Sequence, residues 1–157
     1  MNDPDLGPDP EQRLERLGLI LPPPPAPVAS YVPFTFSGDL VFTAGVLPMR
    51  DGRVVAGRVG ADLGVEAGAQ AAELAAMALL ASLAAATGRL NRVQGLVLLT
   101  GYVRSAPDFS RQSEVVDGAS NLLQQVLGDR GHHARVAVGV SELPREACLE
   151  LQLIARR

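Results

Sequence analysis

The sequence predicts an α+β domain in which two helices cover one face of a sheet. Three observations support this prediction: a long alanine- and leucine-rich segment, several short apolar runs separated by turns, and a hydrophobic content of 47%. A chain of 157 residues with this composition is long enough for one domain of ordinary size and too apolar to be mainly disordered. We therefore expect a single shared core.

Two helices are predicted from composition and from their end signals. The segment Val65–Thr87 is rich in helix-forming alanine and leucine, and Gly88 supplies a stop. A second helix is predicted over residues 109–127, with Asp108 as its N-cap and Gly128 as its end. The first of these helices carries few charged residues, which indicates that little of its surface meets water.

The strands are predicted from apolar runs and turn residues. Phe34–Ser37 and residues 40–46 flank Gly38-Asp39, a separation typical of a tight hairpin. We interpret the last two strands as a second hairpin around Leu143-Pro144. The remaining turns and strands are predicted as follows: a turn at residues 50–53 before Val54-Val55, and strands at residues 93–104, Ala134–Val140 and 147–154.

One face of the sheet is expected to meet another subunit. Residues 41–46 and 96–99 are apolar at consecutive positions, a pattern of strands covered on both faces. Two helices can cover only one face. The other face should then be buried by a second copy of the chain.

The N-terminal fifth differs from the rest, since nine of the twelve prolines lie at or before Pro33. We interpret residues 1–30 as a proline-rich arm and residues 31–157 as the folded domain. A short helix is expected after Asp9, an N-cap followed by a first-turn proline. We expect a stiff arm that adds little apolar area to the core, with a proline-recognising partner as the alternative.

Composition excludes several classes of function. All fourteen basic residues are arginine, which removes lysine Schiff bases and phosphate-binding loop lysines. Cys148 is the only cysteine, so no disulfide forms within the chain, and a reducing cytoplasm fits best. The net charge of −3 gives no attraction for nucleic acid, and the apolar run of residues 74–86 is short of the roughly 20 residues that a bilayer needs. We expect no nucleic-acid partner, no membrane and no secretory signal.

Four residues are candidates for chemistry on local grounds. Arg135 begins a strand with no acid within five residues, so its charge either reaches solvent or meets an anion in a cleft. Glu150 lies on the polar face of the last strand; if that face lines a cleft, burial would raise its pKa and suit it to proton transfer. Tyr31 either closes a pocket or anchors the arm, and Gly45 permits close approach of another group.

The adjacent pair His132-His133 is best interpreted as a polar turn, since neighbouring side chains on a strand point apart and do not chelate one metal easily. A pH-sensitive or substrate-facing histidine is the alternative. No metal site is predicted from these residues.

The chain resembles the RidA (YjgF) family from about Tyr31 to Ala155. The C-terminal block is the most specific part, because an arginine, a Leu-Pro turn and a glutamate strand recur there at the spacing of the family. The segments that carry the resemblance are Tyr31-Val32, residues 38–48, residues 100–104 with Asp108-Phe109, residues 134–138, Leu143-Pro144 and residues 149–151.

The resemblance implies a chorismate-mutase-like fold, a homotrimer with clefts between subunits, and hydrolytic deamination of 2-enamine and 2-imine acids to 2-keto acids without a cofactor. It implies that Arg135 grips the substrate carboxylate and that Glu150 positions or activates water. Tyr31 matches an aromatic residue at the pocket mouth. Gly45 and Ala137 match positions whose backbone amides face the ligand.

The chain also departs from the family pattern, as a divergent member with an N-terminal arm. Ala44 stands where archetypal members commonly have serine, Val46 where they have glutamine, and Ser113 where they often have asparagine. The loss of these hydrogen-bonding groups favours the alternative function, a non-catalytic module that binds a small keto acid. Ribonuclease activity is disfavoured by the acidic charge and an aromatic content of only 4%.

Overall fold

The computed structural model describes residues 9–27 and 29–157. It confirms an α+β fold with a mixed five-stranded sheet in the order β1-β2-β7-β5-β6 and a separate two-stranded ribbon, β3-β4. The strands are β1 (Phe34–Ser37), β2 (Leu40–Thr43), β3 (Met49–Arg50), β4 (Arg53–Val54), β5 (Gly95–Arg104), β6 (Ala134–Val140) and β7 (Leu149–Arg156). The helices are α1 (Pro10–Arg16), α2 (Val65–Thr87) and α3 (Gln112–Leu127).

The predicted helices are confirmed, but the start of α3 differs from the prediction. Asp108 has a φ of +66°, the left-handed region, whereas an N-cap needs extended backbone. The helix begins instead at Gln112, directly after Arg111. Helix α2 has the predicted bounds and ends at Gly88 with a φ of +85°, a conformation that glycine adopts without strain.

The first hairpin is confirmed, and the predicted second hairpin is wrong. Strands β1 and β2 pair antiparallel around Gly38-Asp39. Strand β6 instead pairs parallel with β5, and β7 lies on the other side of β5. The reason is α3: a crossover helix between β5 and β6 brings β6 back parallel to β5, which leaves β7 to pair with the opposite edge.

Both long helices pack on one face of the sheet. Leu149, Leu151 and Leu153 point from β7 into this core and are fully buried. The helices approach closely, because a side chain at Gly118 of α3 would overlap the backbone of Ala69 in α2. The close approach explains why a long alanine-rich helix fits beneath a second helix.

Among the described residues, no helix lies over the opposite face of the sheet. Val136 and Val138 of β6 are 45% and 40% exposed there. Val138 pairs with Tyr102, and Tyr102 pairs with Glu150, so the uncovered face runs from the edge strand to the middle of the sheet. The prediction that two helices leave one face bare is confirmed.

The arm packs on the domain more tightly than its sequence indicates. Asp9 caps α1 by accepting a hydrogen bond from the Glu11 amide, and it pairs with Arg89 at 2.8 Å. Leu14 is only 5% exposed and belongs to the core. The expectation of little apolar contact is therefore wrong, while the division at residue 30 stays a prediction. The first eight residues of the predicted arm, and Val28, lie outside the described residues.

Within the described part of the chain, α2 is long and apolar enough to cross a bilayer by length and composition. More than half of the most apolar stretch of this helix is buried inside the fold, as in the core helix of a globular domain.

Candidate functional site

The candidate site residues occupy two separate places. Tyr31, Gly45 and Glu150 line an open cleft with a volume of about 1650 Å³. Arg135 and Ala137 lie on β6, the edge strand, and do not line that cleft. One copy of the chain therefore brings together three of the five predicted residues.

The cleft is mostly apolar and is larger than a small keto acid requires, since pockets for small molecules are typically about 300–1000 Å³. The arm, the first hairpin and α2 all contribute to its walls. Representative lining residues are Leu19, Pro22, Phe34, Phe42, Leu74 and Met77.

Glu150 and Asp51 are the two acidic residues among those that line this cleft, and Glu150 is the one on the central sheet. It lies on β7 between two buried leucines, on the uncovered face of the sheet, and is half-buried. Burial raises the pKa of its carboxyl above the usual value of 4.5. No ion pair or hydrogen bond from the described residues opposes that effect. A carboxylate without partners in an apolar cleft holds a proton more readily than one in water, which suits it to proton transfer.

Gly45 fits against this carboxylate. A Cβ atom at position 45 would overlap Oε1 of Glu150, so the close approach requires glycine. Val46 fixes the two segments in register: its amide donates to the carbonyl of Leu151 at 2.8 Å, and the Leu151 amide donates to the Val46 carbonyl at 3.0 Å. The backbone of residues 45–46 is thereby held beside the Glu150 side chain.

Tyr31 and Ala137 have different surroundings. Tyr31 is 47% exposed at the rim of the cleft, directly after the arm. Ala137 pairs with Gly101 of β5 and packs against the core. The first is accessible to a ligand in a single chain, and the second is at the edge of the sheet.

Arg135 is held by one face of α3. Its Nη1 donates to Oδ1 of Asp117 at 2.7 Å and to Oγ of Ser120 at 3.0 Å. Its Nη2 donates to Oγ of Ser113 at 2.6 Å and to the Ser113 carbonyl at 3.3 Å. Two sequence expectations are therefore corrected: Arg135 has an acidic partner, Asp117, and Ser113 supplies a hydrogen-bonding group.

The hydrogen-bond network around Arg135 extends through Ser120 to His133. Nδ1 of His133 lies 2.6 Å from the carbonyl of Gly131, which can only accept, so Nδ1 donates. Nε2 then accepts from the Ser120 hydroxyl at 3.0 Å, and that hydroxyl oxygen accepts from Arg135. Burial lowers the pKa of His133, which favours the neutral ring that this arrangement needs.

Sequence reasoning missed Asp117 and Ser120. A usable signal was present, because positions 113, 117 and 120 lie on one face of a helix and all three are polar in this chain. That pattern becomes informative only once β6 is known to lie beside that face.

The described residues contain no cluster of three potential metal-ligating side chains. His132 and His133 have different partners, with Nδ1 of His132 3.0 Å from the carbonyl of Asp129. Burial raises the pKa of the Cys148 thiol to about 11, so this cysteine is not a ready nucleophile.

Arg135 and Glu150 lie on opposite faces of the sheet. Arg135 pairs with Leu99, whose side chain is buried under the helices, whereas Glu150 belongs to the uncovered face. Two groups on opposite faces cannot hold the same small molecule within one copy of the chain.

Comparison with known proteins agrees with this fold. The family model described as "YjgF/chorismate mutase-like, putative endoribonuclease" matches residues 11–156. Protein TCP17 of Trypanosoma cruzi is 41% identical over 143 residues, which cover 90% of this chain and 89% of that protein.

Two solved structures are also similar. The protein Atu1372 of Agrobacterium tumefaciens, described as having unknown function, is 44% identical with a TM-score of 0.87, covering 94% of this chain and 91% of that one. A protein of Shewanella oneidensis described as a putative endoribonuclease is 31% identical with a TM-score of 0.92, covering 95% and 99%. The chain belongs to the YjgF/chorismate-mutase-like family, also called RidA.

Proposed function

We propose that the protein is a hydrolytic deaminase that converts 2-enamine and 2-imine acids to 2-keto acids. The observation that carries this proposal is the carboxyl group of Glu150: half-buried, without partners among the described residues, raised in pKa and in contact with the Gly45 backbone in an open cleft. Such a group is a general base placed where a small molecule can reach it.

In the proposed reaction, an enamine first takes a proton on C3 to become the protonated imine. Glu150 orients a water molecule and accepts one of its protons as the water oxygen bonds to C2. The amine of the resulting tetrahedral adduct takes up the proton held by Glu150 and leaves as ammonia. The hydroxyl group releases its own proton to the Glu150 carboxylate and then to solvent, and its oxygen becomes the keto oxygen. A protonated imine is already electrophilic, so this chemistry requires no cofactor.

Arg135 is proposed to bind the substrate carboxylate through a charge-assisted contact. The backbone amides of Gly45 and Ala137 are proposed to face the ligand, and Tyr31 to close the rim of the cleft. These roles follow the family resemblance, position by position.

The site is proposed to form between subunits of a homotrimer. Arg135 is on the edge strand and Glu150 is on the opposite face of the sheet, so a neighbouring copy is needed to bring the two together. The uncovered face with exposed Val136 and Val138 offers the surface for such a contact. Light scattering on a sizing column is expected to give the mass of three chains of 16.5 kDa each.

A non-catalytic keto-acid binder is the second candidate function. Ala44 and Val46, at the cleft beside Gly45, supply no side-chain hydrogen bonds to a ligand. Endoribonuclease activity, which the description of the Shewanella relative names, is less well supported for this chain. The net charge is −3, which does not attract RNA, and the four phenylalanines and two tyrosines amount to only 4% of the residues, which leaves few side chains for stacking on bases. We also propose a cytoplasmic location, which a single buried cysteine fits.

The direct test supplies 2-imino acids from an amino-acid oxidase and follows keto-acid release above the spontaneous rate. The protein is expected to accelerate release, and the Glu150→Gln variant is expected to lose that acceleration while still binding the keto acid. Binding without acceleration by the unaltered protein, over a panel of side chains, would favour the binder. Cleavage of an RNA added in parallel would favour the ribonuclease.

A further inference from the structure

The guanidinium of Arg135 already forms an ion pair with a carboxylate of the same chain. Asp117 accepts from Nη1 at 2.7 Å, and the two serines that share its helix face, Ser113 and Ser120, accept from the remaining donors at 2.6 and 3.0 Å. The Asp117 side chain is 52% exposed and that of Arg135 is 21% exposed. The acid is therefore more exposed to solvent than the arginine with which it pairs.

Contacts other than the Asp117 charge also hold Arg135 in place, because the Ser113 hydroxyl and carbonyl and the Ser120 hydroxyl accept from its guanidinium. Exposed ion pairs stabilise proteins little, and the serine contacts already fix the planar group against α3. The charge has a larger effect on any second anion, because two carboxylates on one guanidinium repel each other. A ligand carboxylate must therefore displace Asp117 or share the arginine with it.

We infer that Asp117 is a resident carboxylate that competes with the carboxylate of the ligand and sets its affinity for Arg135. This inference rests on the proposed role of Arg135. Asp117 therefore lowers the affinity of Arg135 for the ligand carboxylate. Ser113 and Ser120 position the arginine.

The experiment is calorimetric titration of the full-length protein with 2-oxobutanoate, a small 2-keto acid. Asp117→Asn keeps the size of the side chain and an oxygen that accepts from Arg135, and removes only the charge. It is expected to tighten binding about 3- to 10-fold. Glu114→Gln is the matched control, since Glu114 lies on the same helix, carries the same charge and pairs with Arg111 instead. It is expected to leave the dissociation constant within about twofold.

A second experiment tests whether the higher affinity of Asp117→Asn depends on Arg135. In the Arg135→Ala background, Asp117→Asn is expected to add no affinity, because the competition needs the arginine. Unchanged or weaker binding by Asp117→Asn, with the unaltered protein binding normally, would overturn the inference and leave the proposed function standing. A protein that neither binds the keto acid nor releases it from imino acids would overturn the proposed function, and the inference with it.

Discussion

The carboxylate of Glu150 and the guanidinium of Arg135 have opposite surroundings. Glu150 lies in a mostly apolar cleft, with no hydrogen bond from the described residues and a raised pKa. Arg135 donates four hydrogen bonds to one helix face. A proton acceptor gains reactivity from the absence of partners, whereas an anchoring group gains precision from their presence. The two regions thus have the properties that a base and an anchor need.

The largest effect is expected from Glu150→Gln, which tests the reactive side of this comparison. Loss of a general base is expected to lower turnover by about 100- to 10,000-fold, with keto-acid binding retained. The base acts in its ionised form, so the acidic limb of kcat/KM should lie above pH 4.5 and be absent from the variant. Rate measurements from pH 4 to 8 check this. A variant with normal turnover would contradict the role of Glu150.

The Glu150→Gln substitution should raise the stability of the folded protein although it lowers turnover. A raised pKa means that the folded state holds the Glu150 proton more tightly than the unfolded state does. Stability therefore falls as pH rises from 4.5 through the raised pKa, and this loss needs an ionisable group. Glu150→Gln is expected to melt at a higher temperature than the unaltered protein at pH 7, with a smaller difference at pH 4.

Arg135→Ala tests the anchoring side and is expected to lower keto-acid affinity and kcat/KM by roughly 30- to 1,000-fold. The melting temperature should fall by only a few degrees, since Asp117 is left half-exposed and solvated. Arg135→Lys should also bind poorly, because an ammonium cannot reach Ser113 and Asp117 with two fixed prongs. Arg111→Ala removes a nearby exposed arginine as the control. A large loss of stability at normal affinity would make Arg135 a structural residue.

Gly45→Ala is expected to have a smaller effect, about 10- to 100-fold on kcat/KM, because the added methyl group would displace the Glu150 carboxylate without removing it. Gly64→Ala is the matched control: Gly64 has a φ of −77°, and a Cβ there meets no atom within 4 Å. Equal activities of the two variants in the imino-acid assay would show that the contact between Gly45 and Glu150 has no part in catalysis.

The sequence predicts most elements of this fold because their signals are local. The bounds of α2 follow from alanine content and Gly88, and the first hairpin from its two-residue turn. The pairing of β6 with β5 could not be predicted in the same way, since strand order depends on contacts between distant segments. The partners of Arg135 were missed for the same reason: Asp117 is 18 residues away in the chain and meets the arginine only after α3 packs beside β6.

The site, like the fold, has features that the sequence predicts and features that depend on contacts between distant segments. The types of its two charged groups, and the close approach at Gly45, are predicted from the residues and the family resemblance. The separation of Glu150 and Arg135 onto opposite faces of the sheet is visible only in three dimensions. That separation makes the second copy of the chain necessary to the proposed site.

The most direct test mixes two inactive variants, Arg135→Ala and Glu150→Gln, under conditions that exchange subunits. If each site takes its arginine from one copy and its glutamate from the next, about a quarter of the sites in an equal mixture combine both intact residues. The mixture is then expected to regain about a quarter of the normal deaminase activity. Mixed oligomers that form, as shown by mass spectrometry, and remain inactive would contradict a site shared between subunits.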